Sequence, residues 1–481
     1  MSKVPSIKKN FIYSTFYQIL TLLTPLITAP YISRVLGAEG IGIYSYTNSL
    51  VTYFTMFAAL GVLSYGNREI AQHRDNEKER SKIFWEIELL VISTTGLATA
   101  TWIVLSVLYK GYSLYLLIWT IQVIGTAFDI SWFFGGLEQY SYIVIKNTIC
   151  KLASIILLFV CVKSQEDVWV YILILAGSIL AGNVSTWTYL PKFLVKIEKN
   201  DLCIKRHYKE ALIYFIPTIA TSVYTVLDKT MIGLITESNS VNGYYENATK
   251  IVNMAKAIAF TSINSVLGSR ISYLFANKKL DEIKSKIDFA LDYILFMGIG
   301  ISLGIIGIAK QFVPWFFGED FIETVPMLMM LSPIVVIIGI SNCAGALYYT
   351  PAGLRKTSTK FIITGSVLNL ILNSILIPLF FGYGAIIASI VAELIITVLY
   401  VRHSNGFLTA HMVVTKIWKK LLAGIVMLAV VFAVGKGKDT SIFLTVVQMI
   451  AGVGVYCVIL LIMRDGFLME CLRIVKTKLR R

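Results

Sequence analysis

Fourteen predominantly apolar runs, each long enough to cross a bilayer as a helix, restrict this 481-residue chain to one broad class of structure. They lie near 11–33, 43–64, 84–108, 113–136, 141–162, 168–190, 212–235, 244–273, 287–309, 323–349, 361–381, 383–401, 417–434 and 442–463. About 20 apolar residues span the hydrocarbon core as a helix. In that core a helix satisfies its own backbone N–H and C=O groups, and lipid offers them nothing. Only 15% of the residues are charged and 56% are hydrophobic, against about 25% charged in an ordinary soluble domain. The expected fold is an all-α integral membrane protein of about 14 transmembrane helices.

The net charge of +15 would suit nucleic acid, but its distribution argues against that partner. In and at the edges of the loops, Lys and Arg divide 32 to 6 between alternate sides, with five more inside or at the edge of spans. The positive-inside rule reads this asymmetry as orientation, with both termini cytoplasmic and an even number of helices. The basic start Met1–Asn10 precedes an apolar run containing Pro25 and Pro30 with no small-residue cleavage site. The first helix is therefore expected to stay in the protein. Cys150, Cys161, Cys203, Cys343, Cys457 and Cys471 show no paired spacing, so neither a disulfide framework nor a metal site is expected. No cofactor is implied.

Aligning Gly42 with Gly243 also aligns Tyr44 with Tyr245 and Leu50-Val51 with Ile251-Val252. Glu79-Arg-Ser-Lys-Ile83 echoes Ile283-Lys-Ser-Lys-Ile287, and Gly136-Leu137 echoes Gly353-Leu354, in the same order. These matches predict two parallel six-helix bundles, related by an axis along the membrane normal, plus a C-terminal helix pair. The expected domains are an N-terminal lobe over 1–190, a cytoplasmic linker over 191–211, a second lobe over 212–401, and the terminal pair with a basic tail over 402–481.

Two runs carry charge where lipid makes it costly: Asp228 and Lys229 in 212–235, and Glu246, Lys250 and Lys256 in 244–273. An ionisable residue at such depth is a functional candidate. At 100° per residue, Glu246, Thr249, Lys250, Asn253, Lys256 and Asn264 share an arc of about 120°. Tyr214, Thr218, Thr221, Thr225, Asp228 and Lys229 share one side of the preceding helix, as do Ser14, Gln18, Thr21, Thr24 and Thr28 in the first and Tyr44, Thr47, Asn48, Thr52 and Thr55 in the second. These four polar faces are expected to line a common space where solute binds.

Five stretches, Tyr31-Ile-Ser-Arg-Val-Leu-Gly37 with Gly40-Ile-Gly42, Gly66-Asn-Arg-Glu-Ile-Ala71, Leu227-Asp-Lys-Thr-Met-Ile-Gly233 with Gly243-Tyr-Tyr245, Phe316-Phe-Gly318, and Gly384-Ala385 with Glu393, carry a family resemblance. Across essentially its whole length the chain resembles the polysaccharide transporter family, the Wzx-type oligosaccharide-lipid flippases of the multidrug/oligosaccharidyl-lipid/polysaccharide exporter superfamily. The resemblance implies a bacterial cytoplasmic-membrane protein that moves an undecaprenyl-pyrophosphate-linked oligosaccharide from the cytoplasmic to the outer leaflet by alternating access, beside an envelope polysaccharide polymerase. It also implies a cationic cavity, whereas here Asp129, Asp228, Glu246 and Glu393 accompany the lysines.

For such a head group, lysine is a releasable point charge rather than a rigid fork, and the expected substrate ligands are Lys256, Lys250, Lys229, Arg34, Lys151 and Asn253. Four of them have a plainer reading: Lys256 as the partner of an acid on another helix, Lys250 as the i,i+4 mate of Glu246, Arg34 as an interface anchor, and Lys151 as the mate of Asp129. No phosphate-binding Gly-rich loop with Lys-Ser/Thr is present, so an H+ or Na+ gradient acting on Asp228, Asp129 or Glu393 is the expected energy source. A drug or organic-cation antiporter is the rival within the superfamily, although Lys250 and Lys256 suit an anion better. A membrane polysaccharide polymerase or ligase would need external acid/base residues, yet the outer loops are short and His73, His207, His403 and His411 fall in segments assigned to the cytoplasm.

Overall fold

Every regular element among the described residues is helical, as a solvent without hydrogen-bond partners for the backbone requires. The computed structural model describes residues 7–198, 200 and 202–479; the side chains of Ser14, Pro217, Thr218 and Thr221 lie outside the described residues. The chain forms two compact units, Met1–Gly233 with Ser238–Gly243, and Leu234–Glu237 with Tyr244–Arg481.

The first unit contains α1 (Ile7–Ala59), α2 (Val62–Gln72), α3 (Glu77–Leu108), α4 (Ser113–Thr126), α5 (Ser131–Gly136), α6 (Tyr140–Cys161), α7 (Val168–Thr186), all but the end of α8 (Lys205–Thr236) and the start of α9 (Asn239–Ala276). Gly37 interrupts α1 at φ 67° and ψ 179°, a conformation open to glycine and closed to most other residues. The neighbours on either side show that the chain reverses there. Before it, Thr21 meets Lys151 and Tyr31 donates to the Val162 carbonyl at 2.7 Å, so this half runs with α6. Beyond it, Gly40 meets Val168 and Tyr44 meets Tyr171, so the half over 38–59 runs with α7. α6 and α7 are antiparallel, since Gly182 lies against Asn147 near the opposite ends of the pair.

The segments after α2, α5 and α7 interlock at one end of this bundle. Arg80 Nη1 donates to the Arg74 carbonyl at 2.6 Å and Nη2 donates to that of Phe193, while Arg74 pairs with Glu138 at 3.5 Å. Glu86 of α3 is fully buried and accepts from Cys203 N (2.6 Å), Arg206 Nε (2.9 Å) and His207 Nε2 (2.8 Å). A carboxylate removed from water is tolerable only with such complete pairing. It fastens the start of α8 to α3.

The second half of α1 and the start of α9 cross with almost no side chain between them. A Cβ on Gly42 would stand 1.7 Å from the Asn239 carbonyl oxygen, and one on Gly243 would stand 2.0 Å from that of Ala38. The contact is reciprocal: each glycine faces the carbonyl four residues before the other. Gly42 and Gly243 are the pair that the internal alignment matched.

The second unit holds the rest of α9, α10 (Leu280–Phe317), α11 (Thr324–Leu331), α12 (Ile334–Ala344), a π turn at Gly345–Tyr349, α13 (Arg355–Phe380), α14 (Gly382–Arg402), α15 (Ala410–Gly435), α16 (Ile442–Ile462) and α17 (Gly466–Leu479). α15 runs parallel to α10, from the Lys420–Asp292 contact to the hydrogen bond from Gln311 to the Gly435 carbonyl. α16 returns antiparallel, with Thr445 at Trp315 and Tyr456 at the Phe296 carbonyl. Lys420, 1% exposed, bonds Asp292 at 2.6 Å and Asp465 at 2.8 Å; Lys416 reaches Asp288 and Asp292, both at 3.1 Å. Asp465 starts the turn into α17, so the network binds the terminal helix pair to α10.

Eleven stretches among the described residues are long and apolar enough to span a membrane, and the chain is a multi-pass membrane protein. One of them, Thr15–Gln72, contains most of the first apolar run and all of the second, on either side of Gly37. The runs at 212–235 and 244–273 form α8 and α9.

Two substitutions test these contacts. Gly243→Ala drives a methyl into the Ala38 carbonyl and is expected to lower stability in detergent by about 1–3 kcal/mol, whereas Gly268→Ala, with open space around it, should be neutral or mildly stabilising. Lys420→Met strands Asp465 and should cost about 3–5 kcal/mol; adding Asp465→Asn should recover part of the loss in the same thermal melt.

Candidate functional site

Within the first unit, three polar helix faces meet at one cleft. Tyr17, Thr21, Thr24 and Thr28 lie along the first half of α1, and Asn147, Lys151 and Ser154 recur at helical spacing along α6. Tyr171, Ser178 and Asn183 come from α7. Apart from Thr21, these residues line a cavity of about 390 Å³. The Thr24 and Thr28 hydroxyls donate to the Leu20 and Thr24 carbonyls, which keeps them on the helix wall. Asn183 donates to the Gly125 carbonyl at 2.9 Å and so is fixed from behind by α4.

Lys151 is the charged side chain of this cleft. Its Nζ donates to Thr21 Oγ1 at 3.2 Å and stands 5.6 Å from the centre of the Tyr17 ring. No aspartate or glutamate is among the lining residues. Asp129, the proposed mate of Lys151, instead accepts the Ser131 backbone N–H at 3.0 Å, at the start of α5. A lysine with hydroxyl and aromatic neighbours in an acid-free cleft attracts an anion and leaves it free to depart.

The other expected site residues fall at separate places. Arg34 is exposed, three residues before the break at Gly37. Asp228 is buried on α8, within electrostatic reach of Tyr53; Thr230, two residues on, has its Oγ1 2.8 Å from Ser49 Oγ and 3.2 Å from Tyr53 Oη. Lys229 is partly buried, and its carbonyl accepts from Asn242 at 2.8 Å. Asp228 and Lys229 thus diverge around the helix, as adjacent positions about 100° apart must.

In the second unit, Lys250 Nζ lies 3.9 Å from Glu246 Oε1 and 3.4 Å from Asn247 Oδ1. The acid-before-base i,i+4 pairing is therefore present at long range. Asn253 is exposed, Lys256 partly buried, and Glu393 buried on α14. Asn264 of the same polar row donates to Asn342 of α12 at 2.9 Å.

Two members of the second polar row are taken up by packing. Thr47 is fully buried and accepts the Trp119 indole N–H at 3.0 Å, and Tyr44 packs on Tyr171 with ring centres 4.9 Å apart. These residues hold the 38–59 half of α1 against α4 and α7, because hydroxyls on a buried face serve as acceptors for a neighbouring tryptophan as readily as for a solute. Sequence reasoning missed the Glu86 and Lys420 networks, which lie near helix ends where charge is ordinary, and the cleft partners Asn147 and Asn183, which are polar but uncharged.

Cys150 lines the cleft one residue from Lys151 and provides a reporter of its field. In a variant retaining only this cysteine, a negatively charged methanethiosulfonate should react about tenfold faster than a positively charged one, the equivalent of about 1.4 kcal/mol of attraction. Lys151→Met should abolish the preference; equal rates in the parent would show that the lysine sets no field there.

Comparison with known proteins follows this geometry. The chain is 25% identical over 412 residues to a putative O-antigen transporter of Escherichia coli K12, covering 83% of this chain and 98% of that protein. Its fold resembles that of the lipid II flippase MurJ in an inward closed conformation, with a TM-score of 0.74 at 16% identity over 95% of this chain and 99% of the other. It also resembles an inward-facing multidrug resistance MATE family transporter of the MOP superfamily, with a TM-score of 0.62 at 12% identity over 86% and 96%. Residues 7–273 match the family described as polysaccharide biosynthesis protein, and the chain belongs to that family.

Proposed function

We propose that this protein is a flippase that carries polyprenyl-pyrophosphate-linked oligosaccharide from the cytoplasmic to the outer leaflet of a bacterial cytoplasmic membrane, for assembly of a surface polysaccharide. The observation that carries the reading is the acid-free cleft around Lys151, in a chain similar over most of its length to a protein named as a putative O-antigen transporter. A pyrophosphate cannot enter hydrocarbon without cations and donors to replace its water, and the cleft offers a lysine, hydroxyls and amides. Lys256, Lys250, Lys229, Arg34 and Asn253 are further ligands in this reading. The membrane-embedded acids Asp228, Asp129 and Glu393 couple transport to an H+ or Na+ gradient, and an envelope polysaccharide polymerase takes the product.

The reading includes the duplicated architecture of lobes over 1–190 and 212–401 and a cytoplasmic location for both termini. Transport proceeds by alternating access, without chemistry on the substrate by this chain. The fold similarity to a multidrug transporter makes drug export the reading to be tested against it.

The test is expression in a bacterium deleted for its own O-antigen flippase, scored by surface polysaccharide and by lipid-linked oligosaccharide left on the cytosolic leaflet. The expected outcome is restored polymer and a cleared intermediate. Lys151→Met and Lys256→Ala should each reduce restoration about tenfold or more, the loss of one charge-assisted contact of about 1.5–3 kcal/mol. Raised drug resistance with no restored polymer would decide for the rival.

A further inference from the structure

Glu88 has no role in the reading above, yet it is the most isolated acid of the first unit. It is fully buried in α3, and both carboxylate oxygens are sealed without a hydrogen-bond partner among the described residues. Glu86, two residues earlier and equally buried, takes three donors; the same helix therefore holds one acid fully paired and one alone. An unpaired carboxylate in such surroundings is very costly and a carboxylic acid much less so. A proton on the group would remove that cost.

No cation lies beside Glu88 among the described residues. The turn between α4 and α5 presents Asp129, an acid within electrostatic reach. From α2, Tyr65 is committed to His207 and Arg68 to Tyr214. The half of α1 that meets α3, through Thr94 and the Ala58 carbonyl, has Tyr53 as its one ionisable side chain over 47–59. α5 has none.

A second feature leads away from Glu88. Thr95 and Thr99 stand on the same face of α3, within about 20° of it at 100° per residue, and their hydroxyls too are buried without a partner among the described residues. α4 runs antiparallel, set by the Trp102 bond to the Leu116 carbonyl, so Thr120 falls opposite Thr99; its hydroxyl is also buried and unpartnered. The row extends about 16 Å along α3 at 1.5 Å per residue. Trp132, stacked on Phe84 one turn before Glu88, adds an unpartnered indole N–H. Buried polar groups gathered in a line are where ordered water belongs.

We propose that Glu88 is a proton-binding carboxyl reached through a hydrated seam between α3 and α4, and that it releases and regains its proton during the transport cycle. The binding does not depend on the flippase reading; its use in the cycle rests on it. In the step, the Glu88 O–H bond breaks, its electron pair stays on the carboxylate, and the proton passes to water in the seam beside Thr95. Thr95, Thr99 and Thr120 supply the hydrogen bonds that hold that water.

The experiment uses the full chain in liposomes of phosphatidylethanolamine and phosphatidylglycerol. Infrared difference spectra between neutral and alkaline buffer should show a carboxylic C=O band that bleaches on alkalinisation and is missing in Glu88→Gln. A band unchanged in that variant, or one that never bleaches, overturns the proposal. Glu88→Gln imitates the protonated acid, so its thermal stability should match the parent, while surface polysaccharide in the flippase-deleted bacterium should fall at least tenfold. Full restoration by Glu88→Gln would overturn the role in the cycle. Failure of the unmutated chain to restore polymer would count against the flippase reading and leave the infrared result to decide proton binding alone.

Discussion

Hydrocarbon gives a polar atom nothing to bond with, and most of what distinguishes this chain from a bundle of greasy helices answers to that fact. Each charge inside the bundle is costly unless the protein surrounds it with partners or water. The chain uses several solutions. Glu86 is paired by three donors drawn from the segment leading into α8. Lys420 sits between two aspartates and joins three helices. Lys151 stays in a cleft with hydroxyls and an aromatic ring. The first two consume their charge in holding helices together; the third leaves it available.

That difference separates scaffold from site. Buried pairs are weak evidence of net stability, because desolvation offsets much of their attraction, but they fix which helix lies beside which. The Glu86 network and the interlocked segments after α2, α5 and α7 lie at one end of the first unit, and the reciprocal crossing at Gly42 and Gly243 brings two helix segments into backbone contact near the other. Between these ends, the first half of α1, α6 and α7 diverge enough to leave the cavity around Lys151.

The helical class, the membrane location and the family resemblance were legible in the chain, because apolar run length and ordered motifs are one-dimensional signals. The matching of Gly42 to Gly243 was legible too, although the alignment did not say that they touch. The Glu246–Lys250 pairing followed from i,i+4 spacing. Other features required three dimensions. Whether Thr47 faces a solute or Trp119 depends on where α4 lies, which no periodicity within 38–59 encodes. The spacing of Glu88, Thr95 and Thr99 puts them on one face of a helix, but the lack of a partner for Glu88 among the described residues is not in the spacing. Nor does the place of Lys420 in the chain tell that Asp292 and Asp465 flank it.

The network at Lys416 and Lys420 also bears on the last two long helices. Asp288 and Asp292 lie two to three turns into α10, and the side chains that neutralise them come from α15. Trimming the chain before residue 410 would leave that flank of α10 with two acids and no counter-ions, facing lipid or water at the membrane boundary. The appended hairpin is therefore an electrical cover for its host helix, and a shortened protein would need neutral residues at both positions before it could insert cleanly.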